Sequence, residues 1–514
     1  MAAAPRTPGP GVERAAADRR APWLALLAAA AGLAVYATAL SGGFVPDDRL
    51  VLIDARITGR TGIAEIFRTD YWHAVGSAGI ADLYRPITTL SFRWNHAVAG
   101  PSAAAFHGIN VVLHALVSVL VVLLADALFR SRRIALASGL LFALHPVHTE
   151  AVTGIVGRAE LLAAGFLLAA LFLHARSYRL GGYGPRQLLP AALGCFALAL
   201  LSKESVVVGP ALVLLVDATG WLGRGRAPDA GERRHAFAVA GLYAAVVAGF
   251  LGLRFAVLGR LGGAPLLEVG LLFGEPFSTR LATALEILAI YLRLLFFPLR
   301  LSADYSMRQV PLLDSLGHPM ALAGLAAAVA LLAALAWAIR RRATPLAFGF
   351  GWFAVSYALA SNLLTPIGVL VAERLLYLPS LGFCVALAWA WKRLDTRLRG
   401  PESRSLRPHP LAAAALGIVL ALYGARTWLR NQDWRDALTL FAATVESSPD
   451  SAAAHYNYGA TLYQQKRDPA GALPHLERAL ELRPKFLSAH LNTVTAYLEL
   501  ERYDEAREAA LRGL

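Results

Sequence analysis

Charge is scarce in this chain of 514 residues: only 16% are Asp, Glu, Lys or Arg. Soluble domains carry about a quarter charged residues to stay hydrated. A row of roughly two to four soluble domains, which the length alone suggests, is therefore excluded. Cysteine is scarcer still. Cys195 and Cys384 each lie in an apolar run, which excludes a disulfide scaffold and reads as buried packing. No zinc-ligand spacing exists either. Lysine is nearly missing: Lys203, Lys392, Lys466 and Lys485 are the four among 49 basic residues. What is present is apolar. Hydrophobic residues make up 57% and the mean hydropathy is +0.51. These values also exclude disorder and a collagen-like repeat, and they describe a polytopic membrane protein.

The net charge of +14 first suggests nucleic acid, and its distribution removes that reading. Twelve apolar runs are separated by short connectors. The first, Pro22–Leu40, fits a spanning helix of roughly 19 residues better than a signal peptide. The others begin near His107, Ile134, Ala159, Leu188, Val206, Ala236, Leu281, Met320, Pro345, Val369 and Pro410. Basic clusters fall at Arg130–Arg133, Arg176–Arg186, Arg224–Arg234, Arg340–Arg342 and Lys392–Arg407. With the basic tail 1–21, the positive-inside rule makes these cytosolic. The predicted cytosolic segments carry +17 together, leaving −3 elsewhere. No nucleic-acid partner is expected.

This orientation puts the first loop, 41–106, and the C-terminal tail outside. A cytosolic start and an external end require an odd number of crossings. One piece of 236–299 is therefore expected to be re-entrant or interfacial, because Arg254, Arg293 and a glycine-rich 261–274 interrupt it. About eleven spans result, over a membrane domain of 22–427.

The tail, 428–514, changes character. Ala437 and Ala472 are 35 residues apart, as are Pro449 and Pro484, and His455/Asn457 and His490/Asn492; Ala472 to Ala506 is 34. This is the tetratricopeptide period, with the extra residue placed in the Lys466–Ala472 stretch. So short an array is expected to lean on the membrane domain or on a partner, and the sequence stops within a repeat. The fold class is all-α: a polytopic helical membrane domain followed by a short α-solenoid.

Polar islands recur at the predicted external helix ends. Asp47 and Asp48 follow the first helix. Adjacent carboxylates at a membrane boundary repel each other unless a cation or proton compensates. They read either as a catalytic base, with a divalent metal admitted beside it, or as a solvated acidic pair. Arg85, between Tyr84 and Pro86, suits a phosphate or is a snorkelling arginine. His145, His148 and Glu150 form a compact cluster. It reads as a hydrogen-bonded structural or substrate-contact group rather than zinc, since further ligands are not evident. Arg158 and Glu160 pair with each other or line the same cavity. Lys203–Glu204 and Glu373–Arg374 are either neutralised neighbour pairs or cations for a lipid phosphate. Asp304 and Tyr305 complete the set.

In chain order these motifs resemble the transmembrane and tetratricopeptide-repeat-containing proteins, a family implicated in O-mannosylation, and their bacterial relatives. The stretches that carry the resemblance are Phe44–Asp48, Tyr84–Asn95, Phe106–Ala115, His145–Glu160, Leu201–Glu204, Leu299–Ser306 and Ala372–Phe383, with the repeat tail. The resemblance implies a GT-C class membrane glycosyltransferase, in which an acid of the first external loop serves the chemistry. It implies a polyprenyl-phosphate sugar donor, mannose-like, and a hydroxyl acceptor on protein. By it, Asp47 and Asp48 are the matched catalytic acids. From charge and position, Arg85, Lys203 and Arg374 are assigned to the lipid phosphate. His145, His148, Glu150, Arg158, Glu160, Glu373, Asp304 and Tyr305 are assigned to substrate contact or support. No cofactor is required; Mg or Mn at Asp47/Asp48 is admitted.

Two rivals differ in kind. A non-catalytic scaffold would work through the repeats, and a transporter would show an inverted repeat and charges near span centres. The arginine bias suits a GC-rich bacterial genome, hence an inner membrane with a periplasmic tail. The alternative is the endoplasmic reticulum with a lumenal tail.

Overall fold

The computed structural model describes residues 21–75, 83–179, 188–260, 272–306, 308–400 and 407–513. The expected basic tail 1–21 lies outside these but for Ala21. Parts of the basic clusters 176–186 and 392–407 and of the glycine-rich 261–274 lie outside as well.

Every regular element among the described residues is helical. Seven helices there are long and apolar enough to cross a membrane: Trp23–Ser41, Ala103–Phe129, Ile155–Ser177, Glu204–Arg224, Ala230–Leu258, Pro319–Arg340 and Pro410–Asp433. Shorter apolar helices, Leu188–Ser202 and Thr344–Ala360, stand among them. In the Pro319–Arg340 helix only 11% of the apolar window is buried, and in Pro410–Asp433 17%. Apolar faces left so open belong in hydrocarbon rather than water.

Local chemistry sets where several helices start. Three His-Pro pairs act alike. The Nδ1 atoms of His145, His318 and His409 accept the N–H two residues on, at 3.2, 3.3 and 3.3 Å, with proline at the first helical position. Proline suits that position because its missing N–H would have no partner there. Thr344–Ala360 and Ser380–Arg399 cross backbone to backbone: a Cβ on Gly382 would lie 2.3 Å from the Gly349 carbonyl. The apolar run near Val369 is not a helix start. Thr365-Pro366 and Gly368 (φ +76°) keep 361–372 looped, and the helix begins at Ser380.

The Phe277–Phe296 helix is tied down near both ends. Near its start Arg280 Nη2 donates to the Leu363 carbonyl at 2.6 Å. Near its end the Leu295 carbonyl receives His145 Nε2 at 3.1 Å and Tyr423 Oη at 3.0 Å.

The tail forms helices Ala437–Ser447, Ala452–Thr461, Pro469–Leu482, Leu487–Glu499 and Tyr503–Gly513. The repeated histidines do one job twice. His455 Nε2 meets the Pro449 carbonyl at 3.0 Å, and His490 Nε2 meets that of Pro484 at 2.8 Å. The extra residue is not where the spacing put it. Left-handed Arg467 and Glu501 each precede their repeat alanine, Ala472 and Ala506, by the same number of residues. The surplus lies earlier, in a π-helical turn at Leu462–Lys466, whose wider ring takes an added residue.

Candidate active site

Asp47 and Asp48 sit on a short 3-10 turn, Pro46–Arg49, just past the first helix. The structure separates them. Asp48 is fully buried. Its Oδ1 accepts Val156 N–H at 3.0 Å and its Oδ2 accepts Val45 N–H at 3.4 Å. It thus ties the loop to the start of the Ile155–Ser177 helix, where the helix dipole favours an anion. Burial pushes its carboxyl up to about 7, against these amide bonds. Asp47 keeps accessible surface and accepts no hydrogen bond from the described residues. Surrounding protein still raises its carboxyl, and Arg374 counters that.

The other predicted residues gather on the same face, with partners that sequence adjacency did not suggest. Lys203 pairs with Glu160, not with neighbouring Glu204. Glu204 takes Arg85 in a two-pronged bridge, at 3.0 and 2.6 Å, with the Arg85 guanidinium 5.5 Å from the Tyr71 ring centre. Arg374 pairs with Glu150, not with Glu373, and its own N–H donates to Glu150 Oε2 at 2.7 Å. Glu150 holds Arg374 firmly protonated. Arg374 keeps 38% of its side chain exposed, so it remains reachable.

Arg158 does not pair with Glu160. It is a buried clamp, bonded to Asn110 and Asn95 at 2.8 Å each and to the Phe106 carbonyl at 2.9 Å. Its guanidinium lies 4.6 Å from the Phe92 ring centre. Asn110 and Asn95 went unremarked in the sequence, although each is a polar side chain on an apolar helix.

His145 and His148 are fully buried, and their ring nitrogens have partners inside the protein. His145 is the His-Pro cap described above. His148 meets the Phe142 carbonyl at 2.9 Å and Ser380 Oγ at 2.7 Å. Both stand behind the site as supports. Among the described residues no three His, Cys, Asp or Glu side chains group to hold a metal. With both Asp48 oxygens turned to backbone amides, an Mg or Mn ion shared by Asp47 and Asp48 would have to displace one of those bonds.

Glu373 and the Ser302–Ser306 loop make one more unit. Glu373 Oε1 accepts Tyr305 Oη at 2.7 Å and Ser302 N–H at 2.5 Å. Burial pushes its carboxyl up to about 7, although Arg430 opposes the rise. Asp304 turns away, towards the repeats: its Oδ1 accepts Ser451 Oγ at 2.7 Å, and Ser448 Oγ meets Ser302 Oγ at 2.8 Å. Trp434, Val45 and Leu440 close an apolar contact beside this seam, and Gly43 N–H donates to the Arg435 carbonyl at 2.7 Å. The short array does lean on the membrane domain.

Fold and site together define a multi-pass helical membrane protein with a polar site on one face and a repeat solenoid seated beside it. Residues 272–332 match the family described as Protein O-mannosyl-transferase TMTC, DUF1736. Residues 422–470 and 465–514 match tetratricopeptide repeats. Human Protein O-mannosyl-transferase TMTC3 is 30% identical over 93% of this chain and 53% of its own length. Human TMTC1 is 30% identical over 95% and 59%, and mouse TMTC4 29% over 87% and 65%. Its DUF1736 region, its repeats and these relatives bear out the resemblance to the TMTC family that the ordered motifs implied. The chain spans 53%, 59% and 65% of the length of these three curated relatives. No solved structure matches it.

Proposed function

We propose that the chain transfers a mannose-like sugar from a polyprenyl-phosphate donor to a hydroxyl of a protein acceptor, as a GT-C class enzyme. The face that carries Asp47 is external or lumenal; the arginine-rich composition favours a bacterial inner membrane with a periplasmic tail. One observation carries the reading: Asp47 is an accessible carboxylate that accepts no hydrogen bond from the described residues and lies in the field of half-buried Arg374.

Asp47 takes the proton of the acceptor hydroxyl as its oxygen attacks the anomeric carbon. The bond from that carbon to the phosphate oxygen breaks, the configuration inverts, and the lipid phosphate leaves with the electron pair. Arg374 is placed to meet the charge that develops on it, with Lys203 and Arg85 behind. Two of the carboxyls around these cations, Asp48 and Glu373, are pushed up to about 7 and remove negative charge from the site when protonated. The repeats present the acceptor.

Purified full chain, given a panel of synthetic polyprenyl-phosphate sugars and a hydroxyl-rich acceptor peptide, is expected to transfer mannose. Asp47→Asn should lower transfer about a hundredfold or more without changing the melting temperature. No transfer from any donor by the unaltered chain would favour the scaffold. Full activity in the variant would remove Asp47 as the base.

A further inference from the structure

A cavity lies at the far ends of the helices that start near the acid site. Its volume is ≈ 800 Å³, framed by residues 127–131, 216–224, 342–345 and 389–396. The stretch from Phe106 to Phe129, on a helix that links the two regions, rises ~35 Å, about one hydrocarbon thickness. The cavity therefore faces the membrane surface opposite the acid site.

Five cations line this cavity, Arg130, Arg224, Arg342, Lys392 and Arg393, against one carboxylate, Asp217. Asp217 is already engaged by His174 Nε2 at 2.9 Å. Arg224 has an acid partner, Glu232 at 3.2 Å. The other four cations form no ion pair among the described residues. The positive-inside rule accounts for basic residues on this surface. It does not account for their convergence on one cavity, where like charges repel. Arg130 and Arg342 are moreover held in the left-handed region (φ 50° and 53°), uncommon for residues with a side chain. Trp221 and Trp389 contribute rings to the wall, the residue type that marks the headgroup level. Nearby, Trp337 and Ile339 leave about half their surface open, at 47% and 50%, so the flank is apolar.

We propose that this cavity binds the phosphate headgroup of an anionic membrane lipid, with the acyl chains along that apolar flank. Clustered arginines suit phosphate oxygens through paired N–H donors, and basic pockets between helix ends are suited to anionic headgroups. The apolar flank beside the charge favours a lipid over a free phosphate.

The test uses the full chain in detergent, mixed with dioleoylphosphatidylglycerol, dioleoylphosphatidylcholine or inorganic phosphate, with retained ligand read by native mass spectrometry. Phosphatidylglycerol should be retained about tenfold over phosphatidylcholine. The double variant Arg342→Gln/Lys392→Gln should abolish that preference. Arg341→Gln/Arg397→Gln, an equal loss of charge outside the cavity, should keep it. If the first double variant does not fold, Arg393→Gln alone should lower the preference about fivefold. Equal retention of both lipids, or a preference that survives the cavity variants, overturns the proposal. Displacement of phosphatidylglycerol by equimolar inorganic phosphate overturns the lipid as the occupant.

Discussion

Replacing Asp48 with Asn leaves one acceptor oxygen where two now hold Val45 and Val156, whereas Asn at 47 removes no hydrogen bond that the fold uses. Asp48→Asn is therefore expected to destabilise by about 1–2 kcal/mol, seen as a lower melting temperature in detergent, while Asp47→Asn melts like the parent. Two equal shifts would reunite the roles assigned here to separate neighbours. Glu373 yields a pH prediction. Its carboxyl rises from 4.5 to about 7 in the fold, so the folded state holds a proton that the unfolded chain releases. The stabilisation is complete below about 4.5 and fades as pH climbs through 7. The melting temperature should fall from pH 5 to pH 8, and less steeply in Glu373→Gln; parallel curves would count against the buried proton. The candidate residues were legible in the sequence as polar islands among apolar runs. Their partners were not. Arg85 and Glu204 are 119 residues apart, and Glu150 and Arg374 are 224 apart. Such pairings depend on how distant helix ends meet, whereas reading along the chain favours neighbours.

Among elements, the crossing of Thr344–Ala360 with Ser380–Arg399 depends on two small residues. A methyl group at Gly382 would need to share space with the Gly349 carbonyl, and backbone on both sides leaves little room to yield. Gly382→Ala should cost about 1–3 kcal/mol and lower the yield of folded protein. Gly417→Ala, which meets nothing within 4 Å, should not; equal behaviour would deny the close crossing. Helix positions followed well from apolar runs and His-Pro starts, because both are local. The run at Val369 misled because hydrophobicity alone does not separate a buried loop from a helix start. The surplus repeat residue misled for a related reason: spacing counts residues, and only backbone geometry shows which turn widened to take one in.

At the scale of the molecule, the two faces differ in charge and task, and orientation can be tested directly. A cysteine at Gly62, an exposed position with open space around it, should react with an impermeant thiol reagent on intact cells. One at exposed Arg341 should react only after permeabilisation. The reverse pattern would invert the assignment of faces. The division into a membrane part and a repeat part was plain from composition. The seam between them was not, since Ser302, Asp304, Ser448 and Ser451 are unremarkable letters until folded together.

That seam has a further consequence. Ser302 gives its N–H to Glu373 and its Oγ accepts the Ser448 hydroxyl, so one residue serves both the site and the mounting of the solenoid. The repeats are therefore not a detachable handle. Excising them would unroof the loop beside Arg374, and a dead enzyme after truncation would report a broken housing as readily as a lost acceptor.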